Sequence, residues 1–219
     1  MALPRWRDVI AYEEHEATCR AALQTIYPRF GLHPFLQELV KQVSSDGMGV
    51  WPFASRAAAL AAQKHCQRKS PQSSLRLLDQ HKISCLCTDA AANAHAKAFW
   101  QHTGLGASSR QAAIALGRED APSSDQGEKA RRIVRQRLAE IHHCPEEHIS
   151  LVPAGMAALH AGLEAVQTLR PGRPTLQLGF PYVDVLKQPQ VVFHGSELLR
   201  STDLGDIVAT LDRLDPAAV

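Results

Sequence analysis

The sequence predicts an α/β protein in two parts, a mainly helical N-terminal region over residues 1–120 and an α/β domain over residues 121–219. Three observations carry that expectation. Apolar residues recur at helical spacing through most of the first part. In the second part apolar strand-like runs alternate with helical stretches, which implies a parallel, doubly wound sheet. Between them, residues 117–127 form the most polar stretch and read as a linker or mobile loop.

The elements follow in order. A helix is expected over 9–25, and another over 34–43 with Pro34 in its first turn. Residues 47–53 read as a turn and a short extended piece. Ser55 can cap an Ala-rich helix through Arg68, and 69–74 is a polar loop. Segments 75–79 and 83–87 are strand candidates. Asp89 opens a second Ala-rich helix reaching Trp100, which Gly104 and Gly106 end; Ser108 or Ser109 can cap a helix through Leu116. The second part reads as helix 128–142, strand 149–153, helix 155–169, strand 175–180, a short helix over 182–187, strand 190–194 and helix 203–213.

Composition narrows the class. The 219 residues suffice for one or two domains with a real core. A hydrophobic content of 45% and a charged content of 21% describe an ordinary globular protein. The net charge of +2 gives no electrostatic case for nucleic acid. The basic run Lys129-Ala130-Arg131-Arg132, with Arg135 and Arg137, shares its helix with Glu128 and Glu140 and reads as a solvated face. No apolar run approaches the roughly 20 residues of a membrane span. The N-terminus, with Arg5, Arg7 and Asp8, lacks the apolar centre of a secretion signal. A cytoplasmic protein is expected, with no membrane or nucleic-acid partner.

The cysteines agree with that setting. There are five, with no C-x-x-C pair. Cys85 and Cys87 alternate along an expected strand, so they share a face and read as buried free thiols. His142-His143-Cys144 falls at a helix end before Pro145, where imidazoles need no metal to explain them. No metal site is expected.

Chemistry concentrates in Ser150-Leu151-Val152-Pro153-Ala154-Gly155-Met156-Ala157-Ala158-Leu159. A short apolar run meets a Gly-Met step and becomes an amphipathic helix. Backbone N–H groups at such a helix start hold a phosphate by hydrogen bonds and the helix dipole. Further on, Gly179-Phe180-Pro181-Tyr182-Val183-Asp184 offers an aromatic ring at another expected strand end. Sheets of this kind place ligands at the carboxyl ends of strands, so Gly155 and Tyr182 can share an edge. A phosphate cradle and a ring to stack suit a planar phosphorylated cofactor. The plainer readings are an ordinary strand-to-helix turn with Met156 in the core, and Tyr182 as a half-buried turn aromatic.

These segments resemble the cofactor-binding half of the Cys/Met-metabolism pyridoxal-phosphate enzymes, most of all the fungal-type cystathionine gamma-synthases. The likeness continues upstream through Tyr12-Glu13-Glu14, Tyr27-Pro28-Arg29-Phe30, Trp51-Pro52-Phe53-Ala54-Ser55-Arg56 and Gln101-His102-Thr103-Gly104-Leu105-Gly106-Ala107-Ser108-Ser109-Arg110. It implies a fold-type-I, aspartate-aminotransferase-like large domain, of which this chain would hold the first part. It implies pyridoxal 5'-phosphate as cofactor, bound through the amides of Gly155 and Met156. Ala154 stands where the family has a Ser or Thr. Tyr182 matches the family's stacking tyrosine, whose phenol can also act near the substrate amine. The family's Tyr-x-Arg pair grips the phosphate from a neighbouring subunit with a guanidinium fork. Arg110 matches it by position, Tyr27 and Arg29 by letters; position favours Arg110, though a helix-start arginine is also an ordinary surface charge.

The family's cofactor-binding lysine and pyridine-pairing aspartate lie beyond the segments matched here. No Ser-x-Thr-Lys or Asp-Asn-Thr motif occurs, and Lys187 matches a non-catalytic position. The resemblance therefore implies a half-site, with gamma-substitution or elimination on activated homoserine or related sulfur amino acids needing a second polypeptide or a missing half. Expected partners are an amino-acid substrate and either further copies or a chain carrying the Lys and Asp. The alternative is a non-catalytic accessory subunit of a full-length enzyme. A partial sheet should also leave apolar surface needing cover.

Overall fold

A computed structural model describes residues 5–26, 31–44, 47–80 and 82–219. The helix expected over 9–25 is broken into α1 (Trp6–Glu13) and α2 (Ala17–Ala21). His15 between them has a left-handed φ of 64°. No α1 residue is buried, so no packing carries the helix through the polar run Glu13-Glu14-His15-Glu16. α3 (Pro34–Val43) forms as expected, with His33 Nδ1 accepting from the Phe35 N–H and Leu36 and Leu39 buried.

Three strands follow in an antiparallel sheet of order β1-β3-β2: β1 (Gly49–Phe53), β2 (Leu75–Gln80) and β3 (Ile83–Thr88). Helix α4 (Arg56–Lys69) joins the first two, capped by Ser55, whose hydroxyl accepts from Ala58 N–H at 3.2 Å. Pro52 lacks a donor, and β1 is an edge strand, where that lack is tolerated. β3 is central and buried along its whole length. Its period of two divides the core. Ile83, Cys85 and Cys87 pack with Leu36, Leu39 and Val50 on one face, while Leu86 packs with Phe53, Ala59, Ala62 and Phe99 on the other. The cysteines thus share a face as expected. The first part thus places a three-stranded sheet between helix layers.

α5 (Ala90–Thr103) supplies the layer beside α4, and Asp89 caps it by accepting from the Ala92 N–H at 3.0 Å. α6 (Ser109–Ala115) packs beside α3, and Ser108 is its cap. Ala54 N–H donates to Leu105 O and Ala107 N–H to Pro52 O, so the segment before α6 extends the β1 edge.

The second part begins with α7 (Ser124–His142), four residues ahead of the expected start because Ser123 caps it. Only Ala139 of α7 is buried. The strand expected at 149–153 does not form; the chain runs from a 3₁₀ turn at Glu146–His148 into α8 (Gly155–Leu169). Leu151 and Val152 are exposed, and no described strand lies beside them to pair with. β4 (Thr175–Leu178) forms over the first four residues of the strand expected at 175–180 and stops before Gly179, whose φ is 72°. The short helix expected at 182–187 extends as α9 (Val183–Val192), which consumes most of the strand expected at 190–194. Val192 is buried in the Phe53–Phe99 core, so that apolar run serves a helix end. β5 (Ser196–Leu199) starts after Gly195 and pairs with β4 in parallel. α10 (Leu204–Leu214) follows, capped by Asp203. The chain is mixed α/β, and its parallel sheet among the described residues is this two-stranded pair. No helix among them is long and apolar enough to cross a membrane. Ile133, Val134 and Ile141 of α7, and Leu204 and Val208 of α10, are exposed, apolar surface of the kind expected.

Candidate functional site

The start of α8 is fixed by α5 and α9. Gly104 caps α5 with a left-handed φ of 69°. A Cβ there would stand 2.7 Å from Ala157 N and 3.0 Å from Met156 Cβ, so glycine serves both the turn and the close approach. From α9, the fully buried Gln188 donates through Nε2 to His102 O at 2.7 Å and to Met156 O at 3.3 Å. Two chain segments distant in sequence are thus tied to one side chain.

A cleft of about 480 Å³ opens at this junction. Its walls include Pro153, Ala154 and Met156 at the start of α8, Ser108 and Ser109 at the start of α6, and Tyr182 and Asp184 at the start of α9. Gly155 lies between two of these lining residues, and nothing stands within 4 Å of the place its Cβ would occupy. Ala154 is the N-cap of α8 and provides no side-chain cap. Helices α4, α5, α6, α7 and α10 are each capped by a Ser or Asp side chain. The first-turn amides of α8 therefore keep their donors for something else, with the positive end of the helix dipole behind them.

Tyr182 is 56% exposed and lines the cleft. Behind it Asp184 is buried at 2% exposure, with Oδ1 3.6 Å from His102 Nδ1. His33, also on the wall, has its pKa lowered by burial. Ser108 caps α6 by accepting from Gln111 N–H at 3.1 Å, and Gln111 Oε1 accepts from Ser108 N–H at 3.0 Å.

The turn residues Gly155 and Met156 are thus gathered with Tyr182 around one cleft. Arg110 is exposed in the first turn of α6 and does not line it, although Ser108 and Ser109 before it do. Tyr27 and Arg29 lie outside the described residues; Ile26 and Gly31, which flank them, line the cleft. Gln188, Asp184 and His102 carried no assigned role in the sequence. Among the described residues no group of His, Cys, Asp and Glu is arranged to hold a metal ion.

Helices about a small sheet, with a helix start open on a cleft, define the chain as a mixed α/β protein. Residues 32–108, from the approach to α3 through the cap of α6, match the family described as fungal trans-sulfuration enzyme, N-terminal domain. The chain is also 26% identical over 138 residues to a Saccharomyces cerevisiae protein named "Putative cystathionine gamma-synthase". That match covers 53% of this chain and 21% of the yeast protein, so the chain spans about a fifth of that relative's length. No solved structure matches the chain. The resemblance carried by the sequence motifs holds over the N-terminal half. Gly155, Met156 and Tyr182 lie beyond the family match.

Proposed function

We propose that this chain provides the phosphate-binding part of a pyridoxal-phosphate site in a cystathionine gamma-synthase-like enzyme. The reaction class is gamma-substitution or elimination on activated homoserine or related sulfur amino acids. The observation that carries the reading is the uncapped start of α8, open on a cleft that Tyr182 shares. The donor set fits the group: backbone N–H groups for a phosphate, and an exposed phenol ring for a flat heterocycle.

Pyridoxal phosphate supplies, when bound, an electron sink for carbanion chemistry. The chain's own residues bind and orient it. The amides of Gly155 and Met156 donate to the phosphate oxygens. Tyr182 stacks on the ring, a contact worth about 1 kcal/mol beyond burial, and places its hydroxyl near the substrate amine. Arg110 stands outside its own cleft, and a role on the phosphate of a neighbouring copy agrees with that exposure; Tyr27 and Arg29 are the alternative pair. The β4–α9–β5 unit supports a reading as the first part of a fold-type-I domain. The lysine and aspartate that complete catalysis come from a second polypeptide or from sequence beyond these segments. A cytoplasmic setting belongs to the same reading, supported by five unpaired cysteines, three of them buried.

The second reading is an accessory subunit paired with a full-length enzyme. Ala154 favours it, because the hydroxyl that the family uses at this turn is lost.

Titration of the ¹⁵N-labelled chain with pyridoxal phosphate tests the site. The Gly155 and Met156 amide signals are expected to move, and inorganic phosphate to move the same signals less. Unchanged signals overturn the reading. Borohydride treatment followed by peptide mass mapping is expected to find no single-site lysine adduct. Co-purification from the source separates the two readings: a partner bearing the lysine motif supports the split enzyme, an intact enzyme the accessory subunit.

A further inference from the structure

A second cavity, of about 330 Å³, lies between α4, α5, α8 and α9 and shares no lining residue with the cleft. Phe99, Val192 and Phe193 give it an apolar base, and Leu60 on α4 contributes to its outer wall. His160 on α8 also lines it. The imidazole is only 3% exposed, and neither ring nitrogen makes a hydrogen bond. Its Nε2 is 3.5 Å from Glu164 Oε1, and the ring packs against Phe99 and Phe193 at centroid distances of 5.5 and 5.3 Å. A buried ring with unmet polar atoms in an aromatic wall is costly unless something meets them.

The mouth is basic. Lys64 and Arg68 lie one turn apart on α4, both exposed, and neither has an ion-pair partner among the described residues. Glu164 is the one carboxylate among the lining residues. Arg68 also acts on the neighbouring His65, whose pKa is pushed down to about 4 by burial first and then by Arg68 and Lys69. Small-molecule sites combine this kind of apolar volume with a few convergent polar groups.

We propose that this cavity binds a small amphipathic carboxylic acid, its apolar body against Phe99, Phe193 and Leu60 and its carboxylate held by Lys64, Arg68 and His160. The volume suits a single aromatic ring or a short branched chain with one carboxylate. The site is independent of the cofactor reading, since it uses none of the same residues.

Calorimetric titration of the 219-residue chain with phenylacetate, and with phenylacetamide as its uncharged counterpart, is the test. Phenylacetate is expected to bind at least tenfold more tightly than the amide. Lys64→Glu combined with Arg68→Glu should weaken the acid at least tenfold, and Leu60→Glu should do the same from the apolar wall. These three positions are at the surface, and unchanged melting temperatures confirm that the variants fold. The His160 ring signals should shift with the acid in the parent chain. Absence of phenylacetate binding, equal affinity for acid and amide, or binding unaffected by Leu60→Glu overturns the proposal. So does a shift of the Gly155 and Met156 amide signals by phenylacetate with the His160 ring signals unmoved, which would put the acid in the cleft.

Discussion

Gln188 Nε2 donates to the carbonyl of Met156 at 3.3 Å while holding that of His102 at 2.7 Å, so one buried amide sets the start of α8 against the end of α5. The His102 carbonyl lies in the last turn of α5, where the helix supplies no donor, whereas the Met156 carbonyl lies in the first turn of α8 and keeps its helical donor. Gln188→Leu keeps the volume but strips a donor from both. The expected loss is about 1–3 kcal/mol of stability, the cost of the one buried acceptor, His102 O, that is left without a donor. Urea unfolding measures it. A loss under about 0.5 kcal/mol would show that the clamp is dispensable.

Gly104 makes the companion case. Alanine there must adopt a φ of 69° and bring its Cβ within 2.7 Å of Ala157 N, a backbone atom. The strain of the left-handed conformation costs about 1 kcal/mol, and the contact forces α8 to shift. Gly104→Ala is expected to lower stability and to change the Met156 and Ala157 amide signals together. Gly117, also left-handed at φ 69° but with nothing near its Cβ position, is the control: Gly117→Ala should show the strain without the α8 signal changes.

These two glycines also indicate which parts of the molecule were legible in advance. Signals confined to a few neighbouring residues were readable: Ser55 as a cap, Asp89 as a helix start, Pro34 in a first turn, Gly104 as a stop, and the 155–169 helix with its open start. Strand assignments failed where pairing decides. The 149–153 run has strand-like residues but no neighbour, and Val191-Val192 closes α9 because Val192 fits the core of the first part. A short apolar run does not by itself distinguish a strand from a buried helix end. In the site, Gly155, Met156 and Tyr182 were visible because a turn is local. Gln188 was not, because its partner His102 lies 86 residues away. The antiparallel sheet was only half visible, because β1 contains a proline and depends on β3 for its identity.

Acid should weaken the fold through His65. This imidazole is 1% exposed, and its pKa falls from 6.5 to about 4, through burial and then through Arg68 and Lys69. Between those values the unfolded chain binds more protons than the folded one, so stability rises with pH across that window. The neutral ring costs nothing above pH 6.5; as pH falls toward 4 the penalty grows to about 3 kcal/mol. Burial lowers the His160 pKa as well, so it acts in the same direction. His65→Leu should flatten the stability profile between pH 6.5 and 4. Parallel profiles for the two proteins would place the acid sensitivity elsewhere.

The α8 start permits a substitution that separates phosphate binding from folding. Ala154 has φ −154° and ψ 158°, the extended conformation required of a residue before proline. Gly155 is the first helical residue, where proline is tolerated and its missing N–H breaks no helical bond. Nothing crowds the Gly155 side. Gly155→Pro should therefore leave the helix intact and raise stability by about 0.4–1 kcal/mol through the unfolded chain. It removes one of the donors assigned to the phosphate. A hydrogen bond to a charged group contributes about 1.5–3 kcal/mol, so affinity for pyridoxal phosphate should fall by roughly 10- to 100-fold. Ala154→Ser restores the hydroxyl that the resemblance implies at this turn and should act oppositely, strengthening phosphate binding by donating to a phosphate oxygen. Fluorescence titration of the three proteins, with melting curves alongside, reads both effects. Unchanged affinity in Gly155→Pro with a normal melting curve would remove the phosphate from the start of α8.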